Sequence, residues 1–257
     1  LRLAEVQFAS KNKDEGIKSL KKALEIKPDN LDAQRALVQV AMENKNQSNA
    51  LEIARTIQKQ RPKEPVGYAI ESDIHAFNKA WAEAINALRS GLKQTPAQEL
   101  AIKLHTVQRA SGNAADADQT ATSWLKDHPK DVAFRMYLGD LASSQKNYAH
   151  AVSHYQSALG LQPNNALILN NLAWASGQAK APKALEYAEK ANQIAPNQPA
   201  FMDTLAMLLA DKGETTKAIE LLRLALTASP QASAIQLNLA KVLIAAGKKD
   251  DARKELE

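Results

Sequence analysis

ALEIKPDN at residues 23–30 recurs as ALGLQPNN at residues 158–165 and as ANQIAPNQ at residues 191–198. In each copy an apolar helical stretch ends at a proline, because proline is not tolerated in the interior of a helix. Seven of the ten prolines recur at intervals of 33 or 34 residues: Pro28, Pro62, Pro96, Pro129, Pro163, Pro196 and Pro230. A fixed period of this length indicates a repeat protein.

Each period contains two runs of apolar residues at helical spacing, separated by a short polar turn. We therefore predict a helix-turn-helix unit in every repeat, and we find no alternating pattern long enough for a strand. Four glycines lie where a helix must stop and suit a left-handed C-cap: Gly112, Gly177, Gly213 and Gly247. Five polar residues after the periodic prolines are predicted N-caps: Asp29, Asn30, Asp131, Asn164 and Asn165. The remaining prolines are expected in first helical turns: Pro65, Pro182 and Pro199.

The composition excludes several kinds of chemistry. The 257 residues contain no cysteine, which rules out a disulfide, a thiolate metal site and a cysteine nucleophile. The sequence also lacks glycine-rich phosphate loops and the nucleophile motif of hydrolases. His150 and His154 are four residues apart, and we interpret them as a surface pair rather than a metal site. We predict no catalytic residue, no cofactor, no metal and no enzymatic activity.

Charge and hydropathy exclude two kinds of partner. The net charge of +5 is spread along the chain, and the basic stretch from Lys11 to Lys22 is interrupted by Asp14 and Glu15. We therefore expect no nucleic-acid partner. No run approaches the roughly 18 apolar residues of a membrane-spanning helix, so direct membrane insertion is not expected either.

Small and large apolar residues in each period resemble those of the tetratricopeptide repeat. In the period that ends at Pro230 these residues are Leu205, Ala206, Gly213, Ala218, Leu222 and Ala225. The resemblance covers the whole chain and implies an all-α, right-handed superhelix (an α-solenoid) of about eight helix-turn-helix repeats. It implies one solenoid domain over residues 1–257, with repeats ending near residues 30, 64, 97, 131, 165, 198 and 232. The first repeat lacks its start and the last stops at Glu257 inside its second helix, so we expect a fragment of a longer protein.

A narrower resemblance covers LNNLAWASGQAKAPKALEYAEKANQIAPNQPAFMDTLA, residues 169–206. This segment is similar to the C-terminal repeats of bacterial tetratricopeptide lipoproteins associated with exosortase and PEP-CTERM sorting. The matching stretches are NNLAW, KALEYAEKA and DTLA, whereas Ala206 and Met207 replace the Gly-Trp of that family. The resemblance implies a periplasmic position in the bacterial envelope and a lipidated N-terminus outside these residues. A cytoplasmic location is the alternative.

The repeat pattern also predicts which residues lie in the core. Leu205 is expected to be buried between its own second helix and the next repeat, and Ala218 to lie at a close helix contact. In the third repeat Glu71 and His75 replace apolar residues of the repeat pattern. His105 also lies at a core position, and we expect both histidines to be satisfied interior residues.

The concave face, which the first helix of each repeat lines, is where we expect a partner to bind. Tyr137 and Asp140 share one helix face, and Asn171 and Trp174 occupy the same positions one repeat later. Together they offer an aromatic anchor, an amide for a peptide backbone and a carboxylate for Lys or Arg. The alternative is that the two aromatic residues only fill space between helices. The predicted groove residues are Arg35, Lys103, Tyr137, Asp140, Asn170, Asn171, Trp174, Asp203 and Met207.

We predict a non-catalytic protein–protein interaction scaffold that binds a peptide or a partner surface. The narrower resemblance places it in envelope-associated export or sorting of polysaccharide-linked proteins. The alternatives are the substrate-recruiting half of an enzyme and a cytoplasmic regulatory adaptor. Arg35 and Lys103 are fragments of the clamp with which chaperone-binding repeat domains hold a C-terminal carboxylate. The incomplete clamp argues against that ligand, and the oligomeric state is left open.

Overall fold

The computed structural model describes residues 1–256, and these residues form sixteen α-helices and no strand. The helices are α1 (Arg2–Ala9), α2 (Lys13–Ile26), α3 (Leu31–Glu43), α4 (Gln47–Gln60), α5 (Val66–Phe77), α6 (Trp81–Gln94), α7 (Gln98–Ala110), α8 (Ala114–Asp127), α9 (Val132–Ser144), α10 (Tyr148–Leu161), α11 (Ala166–Gln178), α12 (Ala184–Ile194), α13 (Pro199–Asp211), α14 (Thr215–Ala228), α15 (Ser233–Ala245) and α16 (Lys249–Leu256). The predicted all-α fold class of helix-turn-helix repeats is confirmed. Glu257, where the last repeat was predicted to stop, lies outside the described residues.

The helices belong to two compact units. Unit 1 is Leu1–Pro129 with α1 to α8, and unit 2 begins at Lys130 and contains α9 to α16. Within each unit, helices that are consecutive in the chain pack against each other. The first helices of neighbouring pairs also touch, as α11 and α13 do, and α13 and α15. The single domain over residues 1–257 stays a prediction.

Helix starts follow the residues that come after the periodic prolines. The side chain of Asn30 accepts a hydrogen bond from the Ala33 amide at 3.1 Å, and Asp131 caps α9 in the same way. Asn165 accepts from two amides of the first turn of α11. Pro199 is the first residue of α13, where its missing N–H costs little. These caps confirm the predicted starts of three first helices.

The start of α12 differs from its prediction. Pro182 was expected in the first turn of this helix, but α12 begins two residues later, at Ala184. Lys183 precedes it with a left-handed backbone (φ 68°), so the chain cannot be helical there. The helix has 11 residues, whereas α10 and α14 have 14 each.

The turns between paired helices use a left-handed residue at one fixed position. Gly112, Gly213 and Gly247 occupy it with φ between 78° and 85°, as predicted. In five other repeats a lysine takes the same conformation with φ between 52° and 60°: Lys11, Lys45, Lys79, Lys146 and Lys180. The prediction for Gly177 is wrong, because this residue lies inside α11. A Cβ there would collide with the Leu208 side chain, so Gly177 allows a close approach of α13.

Alanine and leucine form most of the core of unit 2. Ala218 and Leu222 of α14 and Leu239 of α15 are fully buried, which confirms the close contact predicted for Ala218. Leu205 is only half-buried and packs against the preceding helix pair rather than the next one. The prediction was wrong because Met202 and Ala206 form the face of α13 that meets α14 and α15.

Glu71 of the third repeat has polar partners, and His105 of the fourth repeat is buried. Glu71 lies 3.1 Å from Arg55 and accepts a 2.6 Å hydrogen bond from Gln58. These contacts compensate for the loss of the apolar residue that the repeat pattern has at this position. His105 is buried as predicted, and burial lowers the pKa of its imidazole. His75 is only half-buried, so the prediction that it is an interior residue is wrong.

Candidate functional site

A groove of about 660 Å³ lies in unit 2, and residues of the first helices α9, α11, α13 and α15 line most of it. We call it the unit 2 groove. Its lining residues are Asp140, Ser143, Tyr155, Asn170, Asn171, Trp174, Gln198, Pro199, Ala200, Asp203, Thr204, Ser229, Ala232, Ala234 and Ile235. Five of the nine residues predicted from sequence are among them. The structure therefore brings together the predicted residues of three successive repeats.

The other predicted residues lie elsewhere. Tyr137 lines a neighbouring cavity of about 630 Å³, which shares Asp140 and Asn171 with the unit 2 groove. Met207 is half-buried and packs against the apolar core around α13 to α16. Arg35 and Lys103 belong to unit 1.

Lys103 forms an ion pair with Asp73 at 2.6 Å. Its charge is therefore partly neutralised, which weakens any role in binding a C-terminal carboxylate. Arg35 is an exposed residue of α3.

Asp140 is held by two side chains of the neighbouring helices. The Tyr155 hydroxyl donates to its Oδ1 at 2.6 Å, and Asn171 Nδ2 donates to the same oxygen at 3.3 Å. Burial raises the pKa of Tyr155, and the bond to the Asp140 carboxylate raises it further. Tyr155 therefore stays protonated at neutral pH and acts as a fixed donor. The result is an exposed carboxylate with a defined orientation.

Tyr155 reaches Asp140 because of Gly139. A Cβ at Gly139 would overlap the Tyr155 ring, so only glycine lets the ring pack against α9 at this point. The contact of Tyr155 with Asp140 was not predicted from the sequence. The sequence signal that could have predicted this contact is a glycine in one helix together with a large aromatic residue in the next helix.

Trp174 is packed on one side and exposed on the other. Its side chain meets Tyr148 edge to face, with ring centroids 5.5 Å apart and planes at 81°. The residue is nevertheless 41% exposed and lines the unit 2 groove. It therefore both fills space between helices and offers an aromatic surface, so the two interpretations from sequence each describe part of the residue.

Asn170 is the least exposed of the predicted groove residues. It is 8% exposed, and its Oδ1 has no hydrogen-bond partner among the described residues. A buried acceptor without a partner costs free energy. A ligand that donates an N–H removes this cost only when the Asn170 side chain turns toward the groove, because the oxygen itself is buried. Asn171, the next residue, is half-buried and bonded to Asp140.

Asp203 has a different environment from Asp140. Asn238 Nδ2 donates to both of its carboxylate oxygens, at 2.9 and 3.0 Å. Burial raises the pKa of Asp203, while the bond from Asn238 and the charge of Lys241 oppose this rise. Asp203 is therefore already satisfied by groups of α15.

The groove is acidic. Among the described residues that line it, the charged side chains are Asp140 and Asp203. In residues 1–256 we find no group of three or more His, Asp or Glu side chains that could hold a metal ion. None of the helices in the described part of the chain has the length and apolar character that a membrane crossing requires.

Two family models, each described as "Tetratricopeptide repeat", match the chain. One matches residues 7–74 and 209–257, and the other matches residues 103–166. Together they cover well over half of the chain and both units. The predicted repeat type is confirmed.

The curated relative that matches the chain is distant from it in sequence. TPR repeat-containing protein PA4667 of Pseudomonas aeruginosa is 26% identical over 156 residues, which are 58% of this chain and 26% of that protein. The chain thus spans about a quarter of the length of this curated relative. The name of this relative does not refer to exosortase or PEP-CTERM sorting, and it does not support the narrower resemblance.

Two solved structures show the same fold. Pseudomonas aeruginosa PilF matches with a TM-score of 0.55 and 22% identity, covering 73% of this chain and 86% of PilF. A double mutant of MamA RS-1 matches with a TM-score of 0.52 and 18% identity, covering 62% of this chain and 89% of MamA. At these identities the likeness shows the fold alone.

Proposed function

This chain belongs to the tetratricopeptide repeat family, and from that premise we propose that it is a non-catalytic scaffold whose unit 2 groove binds an extended segment of a partner protein. Tetratricopeptide repeat proteins generally mediate protein–protein interaction. A solenoid of short repeats exposes a continuous surface, and its function depends on the side chains of that surface.

One observation supports this choice of groove above all. The buried Asn170 Oδ1, which has no partner among the described residues, lines the same groove as the exposed part of Trp174. An extended peptide presents both groups that these residues need, namely backbone N–H donors and side chains that pack on an aromatic ring.

Site-specific photo-crosslinking in cells tests the proposal. A photoreactive amino acid at Ala234, an exposed residue that lines the groove, should form a crosslink to a partner protein. The same amino acid at Leu224, exposed on the second helix α14, is the matched control. Trp174→Ala should remove the crosslink at Ala234. Equal crosslinking at both positions, or a crosslink that Trp174→Ala leaves intact, would contradict the proposal.

The cellular context is a second part of the proposal. A periplasmic position, an N-terminal lipid anchor and a role in export or sorting rest on the sequence resemblance of residues 169–206. Cell fractionation of the full-length gene product, followed by protease protection in spheroplasts, tests this position. A cytoplasmic protein would favour the regulatory adaptor, and an attached catalytic domain would favour the enzyme-recruiting alternative.

A further inference from the structure

We propose that Asp140 and Trp174 form a subsite for one Lys or Arg side chain of the bound segment, while Asn170 accepts a backbone N–H of that segment. This inference rests on the proposed function, because it names the chemical class of ligand that the unit 2 groove selects. It concerns one side chain of the ligand. The experiment can therefore refute the Lys or Arg subsite without refuting the groove as the binding site.

The sign of the charge in the groove supports a basic ligand. Among the described residues that line the groove, the charged side chains are two carboxylates. Asp140 lies in α9 and Asp203 lies in α13. An acidic segment, or a C-terminal carboxylate, would be repelled by Asp140, whereas the charge of Lys241 acts on Asp203. A like-charge contact of this kind disfavours a partner, whereas an opposite charge favours it.

Asp140 has the free capacity that a cation needs. Its Oδ1 accepts the bonds from Tyr155 and Asn171, while its Oδ2 accepts none within residues 1–256. Because two donors fix one oxygen, the other oxygen is held in place without being occupied. A positioned carboxylate loses little conformational freedom when it binds a guanidinium or ammonium group.

Trp174 supplies the second half of the subsite. A cation above an indole face within about 6 Å of the ring is attracted by the electron-rich face. The edge-to-face contact with Tyr148 holds the ring, and 41% of the residue stays exposed. The aliphatic part of a Lys or Arg side chain can pack on the ring while its charged end approaches Asp140.

Asn170 fixes the backbone of the ligand. Its unpartnered Oδ1 is buried, so it accepts an N–H of the ligand after the side chain turns toward the groove. Asn170 lies in the same helix as Trp174, four residues earlier. Residues at this spacing share one face of a helix. A backbone N–H of the ligand that bonds to Asn170 therefore keeps a neighbouring side chain close to Trp174.

Asp203 provides a matched control within the same groove. It is also a carboxylate that lines the cavity, but both of its oxygens accept bonds from Asn238, and the charge of Lys241 acts on it. The proposal therefore predicts that Asp140→Asn weakens binding much more than Asp203→Asn does.

The experiment uses a phage-displayed library of random dodecapeptides, selected on the immobilised chain. We expect the selected peptides to be enriched in Lys or Arg and to lose at least tenfold in affinity with Asp140→Asn or Trp174→Ala. Asp203→Asn should change the affinity less than threefold. Replacing the basic residue of a selected peptide by norleucine should lower its affinity for the wild-type chain by a similar factor. The same replacement should lower the affinity for Asp140→Asn little further, because the partner of the basic residue is already missing. Circular dichroism melts of each variant exclude unfolding as the cause.

Other outcomes separate the two proposals. Selected peptides that bind with a dependence on Trp174 but show no preference for basic residues would overturn the inference and leave the groove function standing. Basic peptides that bind Asp140→Asn as tightly as wild type would overturn the inference as well. A selection that enriches no peptide, or peptides indifferent to both Trp174 and Asp140, would count against the groove and the subsite together.

Discussion

Tyr155→Phe removes the hydroxyl that orients Asp140 and leaves the buried ring in place. The hydroxyl donates to the carboxylate at 2.6 Å. A hydrogen bond to a charged group contributes about 1.5–3 kcal/mol to stability. Asp140 is exposed, so water replaces part of the lost interaction, and the lower end of this range applies. We expect a loss of about 1.5 kcal/mol in the local free energy of unfolding.

Native-state hydrogen exchange of α9 and α10 is the suitable assay, because repeats open locally and a global transition would mix the two units. Tyr148→Phe is the control, since the Tyr148 hydroxyl has no hydrogen bond within residues 1–256 and its ring contact with Trp174 is kept. The control should change the local free energy by less than about 0.5 kcal/mol. Equal effects of the two substitutions, or no effect of Tyr155→Phe, would refute the view that Tyr155 fixes Asp140.

Three further predictions concern the core, the turns and pH. Leu172→Ala, at a fully buried position, should cost about 2–5 kcal/mol, and Leu205→Ala should cost clearly less in parallel urea melts because Leu205 is half-buried. Lys146→Gly should raise Tm slightly, since Lys146 has φ 59° and glycine avoids the left-handed penalty of about 1 kcal/mol; a lower Tm would show that the lysine side chain stabilises the turn. Burial lowers the pKa of His105 in the folded state, so the unfolded state binds the proton first as the pH falls below about 6.5. The free energy of unfolding should therefore decrease from that pH down to the lowered pKa. His105→Gln should flatten this acid loss in melts at pH 7.5 and 5, and an unchanged profile would argue against it.

Helix boundaries were predictable because single residues determine them. The prolines at intervals of 33 or 34 residues end helices through local sterics, and Asn30 or Asn165 begins the next helix through one local hydrogen bond. The prediction failed at Gly177, because glycine can either end a helix or allow a neighbouring helix to pack closely. Gly177 resembles a C-cap in sequence, but it allows Leu208 to pack closely, and the left-handed turn residue is Lys180.

The groove was predictable in outline and not in its contacts. Repeat spacing placed Asp140, Asn171 and Trp174 on one surface, because residues at equivalent positions of stacked repeats are neighbours. Spacing placed Asn171 at the position of Tyr137 one repeat later, but it could not show which atoms of Asn170 and Asn171 find hydrogen-bond partners. Packing buries the first and leaves its oxygen without a partner among the described residues, while the second bonds to Asp140. Such differences depend on the rotation of α11 against its neighbours.

The three tryptophans give a direct test of the site. Their indole N–H groups should give three separate signals in a ¹H–¹⁵N spectrum, and Trp174→Phe identifies the signal from unit 2, since Trp81 and Trp124 belong to unit 1. Titration with a selected Lys- or Arg-containing peptide should shift the Trp174 signal to saturation and leave the other two unchanged. A Trp174 signal that stays in place while the peptide binds would contradict the claim that the unit 2 groove is the binding site.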